Sequence, residues 1–332
     1  MNDPTGAASL FALDPVAYAP SVLHHPGRTF PETNCYTDIW IELLHALGSN
    51  PVSSLAFTVA IDFEGDQWTF IKPPPEDLEA LYGIDVHEMQ FYRPAAAHIL
   101  EQLAQGRTVI IEADSFYLPD TAAISYRQAH VKSSIAIESI DVTGQRLRYF
   151  HGAGYHELSD QDFRGVLRLG RSFSDDVLPP YVEIVRFDAG PRLKGDRLRE
   201  EARTLLKRHL ARRPRHNPWI KFGERLSRDL SCLLSGTPET YHAYAFATVR
   251  QCGAAFDLAK DFVQWLLSDD EYGEIAARAF ERQVQNAKAL LFRLARRRTF
   301  DAASDIRLLA EDWDAAMHAL ECASERAAVQ TA

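Results

Sequence analysis

The 332-residue chain is expected to be an α+β protein, with an α/β N-terminal domain followed by an all-α helical bundle. Up to about residue 190, short apolar runs alternate with turn residues; beyond Gly190-Pro191 the apolar spacing is helical throughout. With 46% hydrophobic residues the chain can bury a large core, and its length suits two domains, placed at 20–188 and 191–328.

The first element is a helix. Ile39, Trp40, Leu43, Leu44 and Leu47 recur at helical intervals, Asn34 is a good N-cap, and Gly48 stands where a left-handed residue would close the last turn. Cys35 therefore opens this helix. Residues 55–62, 67–71, 108–113, 131–140 and 146–150 have the composition of strands, and 76–82 and 94–105 have helical spacing, with Gln105-Gly106 as a stop. Val142-Thr143-Gly144 joins the last two strands as a hairpin, and Lys72-Pro73-Pro74-Pro75 is a rigid loop. Five helical stretches follow, at 193–211, 218–234, 239–267, 272–298 and 302–327.

Composition excludes several classes. No apolar run reaches the ~18 residues a membrane span needs, and Met1-Asn2-Asp3-Pro4 lacks the basic start of an export signal, so a cytoplasmic location without membrane attachment is expected. Cys35, Cys232, Cys252 and Cys322 are widely spaced without a CxxC pair, which argues against a disulfide framework and a thiolate metal site. Net charge is −10, yet residues 191–230 carry thirteen Lys/Arg against five Asp/Glu. A basic surface on an acidic chain suits an acidic partner, although a solvated helix face is the more ordinary explanation of such a stretch. Nucleic acid is not expected, because no aromatic-interleaved basic stretch or base-reading motif is present.

Candidate chemistry centres on Cys35. A thiol in a helix's first turn faces unpaired N–H groups and the positive end of the dipole, an environment that favours thiolate over thiol. A thiol nucleophile needs a base and a group that orients it. His130 opens a strand and can project into a cleft; His151 ends the next strand, and a hairpin should bring the two near each other. Cysteine at a helix start, histidine opening a strand and a polar group ending its neighbour is the chain order of papain-like thiol enzymes. The third group there is usually Asn or Asp, whereas His151 or Gly152 occupies that position here. Either His151 orients His130, or Asp114 reaches in from the preceding strand, or the site is a dyad. Acids at 62–66, with Glu112, Asp114, His130, His151 and His156, offer oxygen and nitrogen ligands, but no HExxH-like spacing places them on one face, so no metal is expected.

The segments Asn34-Cys35-Tyr36-Thr37-Asp38-Ile39-Trp40, Asp62-Phe63-Glu64-Gly65-Asp66-Gln67-Trp68, Asp114-Ser115-Phe116-Tyr117-Leu118-Pro119-Asp120 and Phe150-His151-Gly152-Ala153-Gly154-Tyr155-His156, with Tyr241-His242-Ala243-Tyr244 in the helical part, resemble an uncharacterised bacterial family catalogued as domain of unknown function 1839. Cys35 before its helix, Asp114 with Tyr117-Leu118-Pro119, and His130 opening a strand that ends at Asp141 are more distantly similar to the N-terminal domain of the butirosin-biosynthesis acyltransferase family. That resemblance covers roughly 35–158. It implies a papain-like (cysteine-proteinase-like) fold, Cys35 as nucleophile, His130 as base, and transfer of an aminoacyl group from an acyl carrier protein onto an amine.

The expected function is thus a Cys35-dependent acyltransferase moving an (amino)acyl group from a carrier-protein thioester to a small-molecule amine. No cofactor is bound; phosphopantetheine arrives on an acidic acyl or peptidyl carrier protein, which would meet the basic stretch 191–230. Asn34, Tyr36, Tyr117, His242 and Tyr244 are candidate substrate-binding residues. A cysteine hydrolase (peptidase or amidase) on the same fold, and a catalytically inactive binding or scaffold protein, are the alternatives.

Overall fold

The computed structural model describes residues 5–170, 179–296, 298 and 300–330, with side chains except at 327–330. The α+β expectation holds. Contacts divide the chain into two compact units, one formed by the described residues of 1–24, Cys35–Pro51 and 75–192, the other by His25–Asn34, Val52–Pro74 and the described residues of 193–332. The division is not linear: two segments that precede residue 75 belong to the helical unit. Among the described residues no helix is long and apolar enough to cross a membrane.

The first unit is built on an antiparallel sheet. Its strands are β1 (Ala7–Ser9), β2 (Asp85–Glu88), β3 (Thr108–Asp114), β4 (Lys132–Asp141), β5 (Arg146–His151), β6 (Gly154–Ser159) and β7 (Val182–Arg186). The order is β2-β7-β3-β4-β5-β6, with β1 paired to β4. Helices α1 (Cys35–Ala46), α2 (Pro75–Tyr82), α3 (Ala95–Ala104) and α4 (Asp160–Val166) complete the unit.

Side chains alternate across the sheet, so each strand has two faces. On one face Val109, Ile111, Ala113, Ile135, Ile137, Leu147 and Tyr149 pack against α3 and α4 through Ile99, Leu103, Phe163 and Val166. On the other lies α1, whose Ile39, Trp40, Leu43 and Leu44 are at most 1% exposed. Helix α1 ends as its sequence demands: Gly48 is left-handed at φ +67°, its N–H donates to the His45 carbonyl at 2.9 Å, and the Ser49 N–H reaches back to the Leu44 carbonyl at 2.9 Å.

The buried helix α1 carries two acids, Asp38 and Glu42, one turn apart on its polar stripe, and the chain entering it answers them. The His24 ring joins Glu42 through Nδ1 and Asp38 through Nε2 at 3.3 Å, while the Tyr18 hydroxyl donates to Glu42 at 2.5 Å and the Ser21 N–H at 3.0 Å. Burial alone would lower the His24 pKa, but the two carboxylates outweigh it and hold the imidazolium up to about 9.

A β-bulge interrupts β4. Asp141 and Ile140 pair with Arg146 and Leu147, but the register shifts between Ile137 and Ser139, so that Ile137 faces Tyr149 and Ala136 faces Phe150. The extra residue, Glu138, is buried and accepts from Ser9 Oγ (2.8 Å), the Leu10 and Phe11 N–H groups (3.0 and 2.5 Å) and the Tyr155 hydroxyl (2.5 Å), tying the N-terminal strand to the sheet.

The helical unit contains α5 (Gly195–Arg212), α6 (Pro218–Ser235), α7 (Pro238–Ala245), α8 (Gln251–Leu266), α9 (Glu271–Ala295) and α10 (Ala302–Gln330). Two expectations are corrected here. Residues 55–62 form a 3-10 helix over Pro51–Ala60 rather than a strand, and 67–71 contributes only an isolated bridge between Phe63 and Trp68. The second segment packs on helices: Trp68 lies 4.8 Å from the Trp219 ring and 6.1 Å from Phe256, centroid to centroid. The long helix expected at 239–267 runs from Pro238 to Leu266, with a π turn inside it at Phe246–Arg250. Such a turn frees a carbonyl, and the Ala247 oxygen accepts the Trp68 N–H at 3.1 Å. Arg28 fastens the other early segment, pairing with Asp257 at 3.2 Å and Asp261 at 2.5 Å in α8.

Candidate active site

Strand β3 ends in Asp114, whose carboxylate serves two purposes. One oxygen accepts the Phe116 N–H at 3.1 Å and starts the 3-10 turn Ser115–Tyr117; the other is 2.6 Å from His130 Nδ1. The chain brings these together because Asp114 is in register with Lys132, two residues after His130, and the Ser115 N–H donates to the Val131 carbonyl at 2.9 Å. The His130 ring stacks on Phe116, with centroids 4.5 Å apart and planes 15° from parallel. Its side chain is 67% exposed. With Nδ1–H donating to the carboxylate, the free nitrogen of the neutral ring is Nε2, the atom a general base uses. Alongside, Lys132 pairs with Glu112 at 3.1 Å.

Cys35 is the first residue of α1, free and partly exposed. The next residue, Tyr36, is buried, and its hydroxyl donates to Glu183 in β7 at 2.6 Å; Tyr181 donates to the other oxygen at 3.0 Å. Burial and the Glu183 charge push the Tyr36 hydroxyl pKa up. Glu183 is in register with Ile110, which shares a sheet face with Asp114 by strand alternation. The start of α1 therefore covers the face from which Asp114 projects.

His151 projects from the other face. Its Nδ1 is 2.5 Å from Asp120, its Nε2 is 2.6 Å from Ser133 Oγ, and Ser133 is in register with Ala113 on the α3/α4 side. The bulge at Glu138 is the reason. In an unbroken hairpin from the Asp141–Arg146 pair, His151 would stand opposite Ala136, on the Asp114 face; the shifted register places it one residue past the Ala136–Phe150 pair, on the Ile135 face. Hairpin pairing of β4 and β5 is as expected, but of the alternatives for His130 the carboxylate bonded to it is Asp114, and His151 is held by Asp120.

The other candidates are dispersed. Tyr117 lies flat against Gly165 of α4, where a Cβ would come within 2.2 Å of its ring. Asn34 donates its side-chain amide to the Ile71 carbonyl at 2.9 Å. His242 is exposed on α7, and the Tyr244 hydroxyl is buried without a hydrogen-bond partner among the described residues. Asp62 pairs with Lys221 at 2.9 Å, and among the described residues no three His, Cys, Asp or Glu side chains converge as a metal site would require. Residues 191–230 run through α5 and most of α6, with Lys194, Arg197, Arg203, Lys207, Arg212 and Arg215 exposed, while Arg213 pairs with Glu321 and Arg225 with Asp229.

Sequence reasoning passed over His24, Ser133 and Asp120. Two buried acids one turn apart in an apolar helix already require a cation, which signals His24. The polar pair Ser133-Ser134 inside an apolar strand pattern was the available sign for Ser133; nothing in the sequence pointed to Asp120.

Two family descriptions match the chain, the DUF1839 N-terminal domain over residues 19–187 and the DUF1839 C-terminal domain over 195–322. No curated protein matches it.

Proposed function

We propose that this chain, which belongs to the DUF1839 family along most of its length, uses its N-terminal unit as a papain-like thiol acyltransferase. The single observation that carries this reading is the Asp114–His130 pair, 2.6 Å apart, with the imidazole exposed and stacked on Phe116. A carboxylate on Nδ1 fixes tautomer and ring orientation, and the other nitrogen is left for proton transfer. Cys35 supports it by its place: first residue of α1, partly exposed, on the helix that covers the Asp114 face.

In the proposed reaction the Cys35 sulfur attacks the carbonyl of a carrier-bound thioester. A C–S bond to Cys35 forms, the C–S bond to the phosphopantetheine arm breaks, and the arm leaves as thiol. Thiol replaces thiol, so the exchange needs little driving force. The Cys35 N–H, at a helix N-terminus, is the first donor to the oxyanion. An amine then attacks; His130 Nε2 takes its proton, the amide forms and the Cys35 sulfur is expelled. The six exposed cations from Lys194 to Arg215 are the surface an acidic carrier protein would meet.

A second reading is hydrolysis on the same site. It is favoured by the exposure of His130, since water that reaches the base can resolve the acyl-enzyme. One experiment separates them: the protein is mixed with an aminoacyl-carrier thioester and examined by intact mass, with and without an amine. Transfer predicts an acyl adduct that is absent from Cys35→Ala and discharged by amine into amide. Rapid discharge as free acid without amine favours the hydrolase, and an equal adduct on Cys35→Ala contradicts both.

A further inference from the structure

On the opposite sheet face, Ser133, His151 and Asp120 are linked in series. Ser133 Oγ lies 2.6 Å from His151 Nε2, and His151 Nδ1 lies 2.5 Å from Asp120 Oδ2. The three come from separate places in the chain: Ser133 from β4, His151 from the end of β5, and Asp120 from the 3-10 turn Pro119–Thr121 after β3. Asp120 is itself fixed, since its second oxygen accepts the Tyr149 hydroxyl at 2.5 Å, and only a tenth of its side chain reaches solvent. Burial works against its ionised form, but the hydrogen bond and charge of His151 prevail and keep the carboxyl below its usual range.

For a neutral His151 these contacts fix the tautomer. An ionised Asp120 has only acceptors to offer, so His151 Nδ1 carries the hydrogen; in the neutral ring Nε2 is then a lone pair, and the partner at 2.6 Å must be the donor, Ser133 Oγ–H. A serine whose proton already points at a carboxylate-backed imidazole is the arrangement of an activated hydroxyl. The β5–β6 connection beside it, Gly152-Ala153, carries no side chain larger than a methyl; the His156 ring folds back on that turn, its Nε2 3.2 Å from the His151 carbonyl oxygen, and 12% of the His151 side chain is exposed.

We infer that Ser133 is a second, serine-type nucleophile with His151 as its base and Asp120 as the orienting acid, acting on small uncharged acyl esters. Asp120 pairs with His151 and Asp162 with Arg127, so these charges are matched in pairs and an uncharged acyl group suits the surroundings. In the step, the Ser133 Oγ–C bond forms as the Oγ proton passes to His151 Nε2. The ester C–O bond breaks, and the leaving alcohol takes that proton. Water repeats the sequence and releases the acid.

The test uses the full chain carrying Cys35→Ala, so that failure of the thiol reading and failure of this one are separate. It is treated with a fluorophosphonate and mapped by peptide mass spectrometry. One phosphonyl adduct on Ser133 is expected, absent after Ser133→Ala and formed at least tenfold more slowly after Asp120→Asn. The same protein should hydrolyse p-nitrophenyl acetate, with Ser133→Ala removing most of that rate. If the Cys35→Ala protein, shown folded by circular dichroism, takes no label at Ser133, or takes it equally fast after Asp120→Asn, the inference is overturned.

Discussion

His24→Ala is expected to destabilise the first unit by about 3–5 kcal/mol, the cost typical of removing one partner from a buried charge cluster. The substitution removes the ring that joins Asp38 and Glu42, both at most 2% exposed and one helical turn apart. The wild-type protein should show the same interaction through pH. The His24 pKa is raised by folding, to about 9 from an unfolded value near ~6.5. A raised pKa means that the folded state holds the proton more tightly, so the stabilisation is complete below about pH 6.5, shrinks as pH rises, and is gone above pH 9. The expected loss between pH 6 and 10 is on the order of 3 kcal/mol from this group. Urea unfolding at both values checks it: the His24→Ala protein should lose this component. Equal pH dependence in the two proteins would show that the buried ring is not the proton's site.

The second large effect concerns His130. If its Nε2 takes the amine proton, His130→Ala should slow acyl transfer by about 10²–10⁴-fold, the range in which a positioned general base acts. Asp114→Asn should slow it less, because the ring survives while its tautomer and orientation loosen; the amide also keeps the oxygen that accepts the Phe116 N–H. Steady-state rates for the three proteins decide it. An unchanged rate in His130→Ala would remove His130 from the mechanism.

How far the sequence reached depends on which interactions fix each element. Helix α1 was legible to its last residue because a helical apolar stripe and a glycine at C′ are local signals. The same holds for β3, β4 and β5, which are long and apolar, and for the pairing of the last two. Residues 55–62 misled because a short apolar run does not declare its period. Leu55, Ala56 and Val59 are fully buried, and burial on the helical unit settles them as a 3-10 helix. The strands β2 and β6, with sequences Asp-Val-His-Glu and Gly-Tyr-His-Glu-Leu-Ser, lack an apolar run, and their pairing partners define them.

The site was legible in part for a similar reason. Asp114 and His130 close a single turn region between adjacent strands, so their proximity follows from chain order. His151 required knowledge of a bulge at Glu138, which is held by partners more than 120 residues away in β1 and its continuation. One inserted residue reversed the face of every side chain beyond it, and thereby joined His151 to Ser133 and Asp120 instead of His130.

The central claim, that Cys35 is a nucleophile served by His130, is tested most directly by competition among the protein's own thiols. Cys232 is exposed, Cys35 only partly so and Cys252 buried, so access alone ranks Cys232 first. The native protein is treated briefly with substoichiometric iodoacetamide at pH 7, and alkylation at each cysteine is quantified by peptide mapping. An activated Cys35 reacts at least tenfold faster than Cys232, and His130→Ala abolishes that preference. Alkylation that follows exposure, with Cys232 ahead of Cys35 in both proteins, would contradict the account.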